Sequence, residues 1–353
     1  MHIKNSGLTL LVVLLCCAGA AVAQKPYRIG TTAANFLEIG YGSAGAAMGD
    51  AYVSVAHDLS SAYWNPAGLA FMPRSEAQFS IQPWLVNINT TYAGVGLVLP
   101  RVGTLALAIN QVGYGDMSVT TMDYQEGTGE LFNASDLAVS FSYARSLAQW
   151  FSFGASAKYI TSQIWHMNAS AMALDLGVMV STNFFSFSGK REDGMTIGMS
   201  ISNYGTKMKF DGMDLTFPID ILPDQAGNYA NTAGQFKLES WELPLIFRVG
   251  IALHPIATAQ NRLTLAVDAL HPNNNAESIN VGAQYAYTLP STGTLYLRGG
   301  YKALGLAETE FGPTVGGGIY LRMMGNVGVK FDYAYRSVGV LGSAHCYSMG
   351  VSF

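Results

Sequence analysis

Charge is the scarcest ingredient of this sequence. The 353 residues include 19 Lys and Arg and 23 Asp and Glu, so only 12% of the chain is charged, against about 25% in an ordinary soluble domain. With 50% hydrophobic residues, intrinsic disorder is excluded, because disorder requires high charge and little apolar content. The formal net charge of −4 excludes a nucleic-acid partner, which calls for a basic face. Cysteine is nearly absent too, with 3 in the chain. Cys16 and Cys17 fall in an N-terminal leader, so Cys346 is expected to stand alone and no intrachain disulfide to form. Long apolar runs are missing as well. Outside the leader, Ser, Thr, Asn or Gly interrupts every apolar stretch before it reaches the roughly 20 residues of a transmembrane helix. The 6 histidines show no HExxH or other metal spacing, and no Gly-x-Ser-x-Gly elbow occurs. Ser343 and His345 share one strand face, a spacing common by chance. No catalytic residue, metal or cofactor is therefore assigned.

The leader itself is informative. Lys4 precedes an apolar run over residues 8–15, and Ala21-Val22-Ala23 stands before Gln24. This is the layout of a secretory signal peptide over residues 1–23, cleaved after Ala23. Bulky Leu14 and Leu15 before Cys16 disfavour lipid attachment at that cysteine. An exported, weakly charged, apolar chain without a spanning helix has one other way to satisfy its backbone in lipid, a closed β-barrel.

Period-two alternation supports that reading. Val327, Val329, Phe331, Tyr333 and Tyr335 alternate with Gly328, Lys330, Asp332, Ala334 and Arg336; Ile279, Val281, Ala283, Tyr285 and Tyr287 alternate with Asn280, Gly282, Gln284 and Ala286. The second face is mostly small and carries few charges, unlike the Lys- and Glu-rich outer face of a soluble sandwich. The runs predict an all-β, transmembrane, antiparallel barrel of about 14 strands over residues 75–353. Their bounds are 75–82, 90–99, 103–112, 136–146, 150–161, 169–181, 195–203, 243–254, 261–270, 277–289, 294–302, 312–322, 326–336 and 345–353. Short connections then fall on the periplasmic side and the two longest, 113–135 and 203–241, outside. The connection 182–194 is long for a periplasmic turn. The chain closes on Tyr347, Met349, Val351 and Phe353, a last strand ending in an aromatic.

Residues 24–74 do not alternate. A run of small residues over 42–49 is followed by Trp64, Asn65, Pro66, Ala67 and Gly68. Asn65 suits an N-cap and Pro66 a first helical position, so a short helix is predicted to start there. A segment this apolar is expected to fold into the lumen as a hatch, with a periplasmic lid as the alternative. The inward charges Arg248, Arg262, Asp268, Arg298, Lys330, Asp332 and Arg336 belong in the lumen, since Arg or Lys on the lipid face near mid-membrane costs about 2–4 kcal/mol. They suggest a pairing network that anchors the hatch. The long external connection carries Met208, Phe210, Met213, Leu215, Phe217, Ile219, Ile221 and Leu222. That is unusual apolar surface for a loop and marks a partner site; a hairpin extending the barrel wall is the plainer reading.

The run FLEIGYGSAGAAMGDAYVSVAHDLSSAYWNPAGLA resembles the N-terminal signature of the PorV/PorQ family of outer-membrane proteins, which are related to FadL-type fatty-acid transporters. SNYGTKMKF, ELPLIFRVGIAL, LTLAVDALHPNNNAESINVGAQYAY, LYLRGGYKA and SAHCYSMGVSF extend the resemblance through the chain. It implies a FadL-like barrel of fourteen strands in the outer membrane of a Gram-negative bacterium, with a role in type IX secretion. PorV-like members bind the C-terminal signal domains of cargo and dock on the translocon; PorQ-like members work with a partner that handles anionic lipopolysaccharide. A FadL-type channel for hydrophobic small molecules is the alternative. The chain departs from the family pattern at Asp50, where Gly is usual, and at Cys346, where Arg is common.

Overall fold

The computed structural model describes residues 28–86, 88–225, 227, 231–306, 309–323 and 327–353; the expected signal peptide over residues 1–23 lies outside them. Strands β1 (Glu76–Pro83), β2 (Asn89–Leu99), β3 (Gly103–Ser118), β4 (Leu131–Ala148), β5 (Phe151–Ile164), β6 (Met167–Ser181) and β7 (Thr196–Gly205) form the first half of the wall. After β8 (Asp211–Gly212), β9 (Thr216–Ile219) and β10 (Thr232–Gln235) come β11 (Ile246–Ala257), β12 (Asn261–Pro272), β13 (Ser278–Leu289), β14 (Gly293–Leu304), β15 (Pro313–Arg322), β16 (Gly328–Ser337) and β17 (Ser343–Ser352). Each barrel strand pairs antiparallel with its neighbours, β7 pairs with β11, and β17 pairs with β1. The ring of fourteen strands is closed, so it leaves no unpaired edge in lipid, where each orphaned backbone group costs several kcal/mol. The terminal N–H of Phe353 reaches the carbonyl of Ser75 at 2.9 Å, which brings both ends of the barrel to one rim.

The alternation places side chains as expected. Phe79, Leu107, Phe141, Leu174, Leu297 and Phe331 point outward and are exposed, while Ser80, Ala108, Ser140, Asp175, Arg298 and Asp332 on the same strands are buried inside. The connections 100–102, 149–150, 258–260 and 290–292 are short and lie at the rim of the termini, the periplasmic rim of an outer-membrane barrel. The connection 182–195 at that rim is a long loop as its predicted bounds have it, with β7 starting one residue later than expected. Its short helical turn Arg191–Asp193 is tied down where Asp193 accepts from the hydroxyls of Ser186 at 2.7 Å and Ser188 at 2.8 Å. Several strands outrun the predicted bounds on the external side. β3 continues to Ser118 and β4 begins at Leu131, across a bulge between Gly113 and Asp116. Asp116, Met117 and Ser118 there still pair their backbones with Asn133, Phe132 and Leu131, without the apolar alternation on which the predicted bounds rest.

Candidate functional site

The segment from Arg28 to Arg74 threads the lumen from the external to the periplasmic rim. Near the external end Thr32 bridges Glu242 and the amide of Asn274 donates to Glu38 at 2.5 Å. At the other end Asp58 meets Lys330 and the chain enters β1. Its aromatic side chains form the packing core of the plug. The indole N–H of Trp64 donates to the carbonyl of Tyr41 at 3.0 Å, and the hydroxyl of Tyr63 to that of Leu37 at 3.1 Å. Trp64 stands edge-on to Tyr63 with ring centres 4.9 Å apart. Both are buried, so they fill the hatch rather than line a conduit.

The Trp64–Gly68 motif is where hatch and wall meet most closely. Asn65 caps the 3₁₀ helix Pro66–Phe71, a tighter turn than the helix expected from sequence. Its Oδ1 accepts from the N–H of Ala67 at 3.1 Å, and its amide donates to the carbonyls of Val53 at 2.9 Å and Val178 at 3.1 Å. The strand residues beneath are glycines for a steric reason. Gly154 and Gly177 face each other across β5 and β6. A Cβ on Gly154 would stand 2.3 Å from the Pro66 carbonyl carbon, and one on Gly177 2.1 Å from Asn65 Oδ1. The paired Gly282 and Gly300 of β13 and β14 admit the backbone at Met48 in the same way, with a Cβ 2.4 Å from the Met48 carbonyl oxygen or 2.3 Å from its carbonyl carbon. Small inward residues in the alternation thus match backbone-to-backbone contact with the plug.

Four of the seven inward charges touch the hatch directly. Arg336 pairs with Asp50 at 2.5 Å, and Lys302 joins the same carboxylate at 2.7 Å. Burial raises the Asp50 carboxyl, but the Arg336 and Lys302 charges outweigh it and hold the group below its ordinary value. Lys330 pairs with Asp58, which is likewise held low against its burial. Asp268 accepts from the N–H of Val53 at 2.9 Å. Arg248 donates to Ser202 at 2.9 Å and lies over the Tyr63 ring. The remaining three behave differently. Arg298 and Asp332 pair with each other within the wall at 2.5 Å. Arg262 sits at the periplasmic rim and donates to the carbonyl of Glu192 at 2.8 Å, so it does not join the network expected to hold the hatch.

Sequence reading missed the hatch acids Asp50 and Asp58 and the wall residue Lys302. It also missed a buried pair in the wall, Lys158 with Asp175 at 2.5 Å. Lys158 and Asp175 face inward on β5 and β6, so the parity rule applied to Arg298 and Asp332 would have found them.

The long external connection is only partly a free surface. Met208 is buried against Phe36, Leu37 and Leu243, with Phe210 packed on the same cluster, and Leu215 is buried as well. Of the eight proposed contacts, Met208 and Leu215 are therefore covered, and Phe210 is half-buried against the cluster at the loop base. Above them β9 and β10 form a separate hairpin with Phe217 stacked on Phe236, ring centres 4.5 Å apart. Met213, Ile219, Ile221, Leu222 and Phe236 remain exposed. The loop therefore does both: β8 extends the wall by pairing with the start of β6, and the β9–β10 hairpin is separate from the wall sheet. On the outer face His345 engages the hydroxyl of Tyr333 at 2.9 Å, a contact that does not involve Ser343.

The family profile described as type IX secretion system protein PorV matches residues 22–221. No curated protein sequence matches the chain. Among solved structures, it is similar to the toluene transporter TodX of Pseudomonas putida, with 12% identity, a TM-score of 0.52, and coverage of 89% of this chain and 97% of that one. It is also similar to a FadL homologue of Pseudomonas aeruginosa, with 10% identity, a TM-score of 0.50, and coverage of 93% and 99%. The toluene transporter TbuX of Ralstonia pickettii gives 11% identity, a TM-score of 0.50, and coverage of 88% and 97%. At these identities the likeness establishes a FadL-type barrel.

Proposed function

Because the chain belongs to the PorV family of type IX secretion system proteins, we propose that it is a non-enzymatic outer-membrane component of that system. In this reading it binds cargo C-terminal signal domains, the translocon, or both, through its external loop. The observation that carries the reading is the exposed apolar set Met213, Ile219, Ile221, Leu222 and Phe236 on and beside a hairpin that is separate from the barrel sheet. Exposed apolar side chains grouped on one protruding element are the usual mark of a protein contact. The base of the loop packs through Met208 and Phe210, so its tip can be altered without disturbing the barrel. Charged substitutions Ile219→Asp and Ile221→Asp should abolish co-purification of translocon or cargo while the barrel still assembles in the outer membrane. Undiminished partner recovery would refute the reading.

A second reading rests on the fold it shares with the TodX and TbuX toluene transporters. A FadL-type channel for hydrophobic small molecules would have to move the hatch, whose aromatic core now fills the lumen. It predicts that a disulfide tying hatch to wall blocks uptake of a hydrophobic tracer; equal uptake with and without the bond would remove it.

A further inference from the structure

At the periplasmic rim the hatch does not fill the barrel. A cavity of about 630 Å³ opens there between the hatch residues Tyr52 to Asp58 and the ends of β11 to β17. Its charge runs against that of the chain. The protein as a whole carries −4, yet Arg74, Arg262, Arg298, Arg322 and Lys330 line this cavity against Asp58 and Glu76. Three of the five cations are engaged, Arg298 by Asp332, Lys330 by Asp58 with Asp332 3.6 Å away, and Arg74 by a partner of its own. Among the described residues Arg262 forms no ion pair and donates to a neutral backbone carbonyl, although the Asp193 and Glu192 carboxylates of the same loop lie near enough to favour its charge. Arg322 forms no ion pair among the described residues.

The strand register brings part of this charge together. Lys330 pairs with Tyr320 across β15 and β16, and Arg322 lies two residues beyond Tyr320 on the same face. Arg322 and Lys330 are therefore diagonal neighbours, about 7–8 Å apart between backbones, so that an anion held by Arg322 would also feel Lys330, whose ammonium is shared with Asp58 and Asp332. Thr294, which faces Tyr320 across β14 and β15, and Gln284 line the same space. They add hydroxyl and amide donors to the guanidinium and ammonium groups. A cleft with an excess of one sign of charge inside low-dielectric walls concentrates its field on small counter-ions, and here five cations line the cavity against the two carboxylates of Asp58 and Glu76. Guanidinium forks are suited to phosphate oxygens.

We propose that this periplasmic vestibule binds a small organic phosphate of the glycerol phosphate type. The inference is independent of the partner surface, which lies at the opposite rim. The same headgroup chemistry is available from a soluble ester or from a phospholipid, and the test separates the two. Purified full-length protein in neutral detergent is titrated with sn-glycerol 3-phosphate, with glycerol as the uncharged control. In parallel, protein taken from phosphatidylglycerol nanodiscs is examined by native mass spectrometry for retained lipid. Saturable binding of the ester assigns a soluble ligand, and retained phosphatidylglycerol assigns the lipid; either supports the site. Arg322→Gln should weaken binding by about tenfold, the effect of one charged hydrogen bond. The double variant R262Q/R322Q should abolish it, with heat-modifiable electrophoretic mobility confirming a folded barrel. If neither source binds, if glycerol binds equally well, or if the folded double variant binds undiminished, the proposal is overturned.

Discussion

The carboxylate of Asp50 and the guanidinium of Arg336 lie 2.5 Å apart although 286 residues separate them in the chain. One belongs to the hatch and the other to the penultimate strand, and both are buried. Asp50 holds a left-handed backbone with φ of 64°, a conformation that Asn also tolerates. Asp50→Asn therefore removes the charge and leaves the backbone undisturbed. A buried ion pair broken on one side costs about 3–5 kcal/mol. The variant should unfold at lower temperature in detergent and expose the hatch to protease; wild-type behaviour in both would show that the pair does not hold the hatch.

The same pair sets a pH window. Because the Asp50 carboxyl is depressed below its ordinary value of 3.8, its contribution is complete above that value. It is lost as pH falls through the lower value in the folded protein. The gap in hatch protease resistance between the wild type and Asp50→Asn should thus stay level from pH 8 to pH 5 and narrow only in stronger acid, which limited proteolysis across a pH series will show.

Asp193 gives a second, local window at the periplasmic rim. Hydrogen bonds from Ser186 and Ser188 outweigh its desolvation and hold its carboxyl down to about 2. The loop 182–195 should keep its resistance to cleavage at pH 3, and Ser186→Ala should shift the onset of cleavage toward neutral pH. An unchanged onset in that variant would mean that the serine contact does not order the loop.

How much of this was legible in sequence depends on the range of the interaction. The strand over 278–289 was readable from Ile279 to Tyr287, because alternation is a local pattern imposed by lipid on one side. The inward glycines were readable as small, yet their purpose was not. Only the folded ring sets Gly154 beside Gly177 and both beneath Pro66 and Asn65. Asp58 carried no signal because the hatch has no period from which an inward face can be inferred. Met208 and Leu215 looked like partner contacts because hydrophobicity marks a surface residue and the base of a loop alike.

The glycine pair gives a steric prediction. Gly177→Ala places a methyl group where Asn65 Oδ1 now lies, 2.1 Å from the new carbon. Overpacking of this kind costs about 1–3 kcal/mol. Gly299→Ala, on the outward face of β14, meets nothing closer than 3.7 Å and should be nearly neutral. Comparison of the two melting temperatures separates hatch contact from a general intolerance of side chains in the wall.

The buried pair of Lys158 and Asp175 supplies a test of stability against specificity. Asp175 accepts from the N–H of Asn203 at 2.7 Å, Lys158 donates to Asn203 Oδ1 at 2.9 Å, and the Asn203 amide donates to the carbonyl of Pro244 at 2.9 Å. The cluster sits at the bulge where β6 and β7 slip register between Leu174 and Leu176, and it ties that bulge to the segment leading into β11. Lys158→Met alone leaves the Asp175 charge buried and should destabilise the barrel by about 3–5 kcal/mol. The double variant K158M/D175L removes both charges and should recover most of that loss, since a buried pair gains little over apolar packing. The Asn203 N–H would still lose its acceptor, at about 1–3 kcal/mol, so recovery should be incomplete. The bulge itself should then loosen, read as faster amide exchange at Asn203 in the double variant than in the wild type. Full recovery with unchanged exchange would mean that the backbone, and not the ionic cluster, dictates the slip in register.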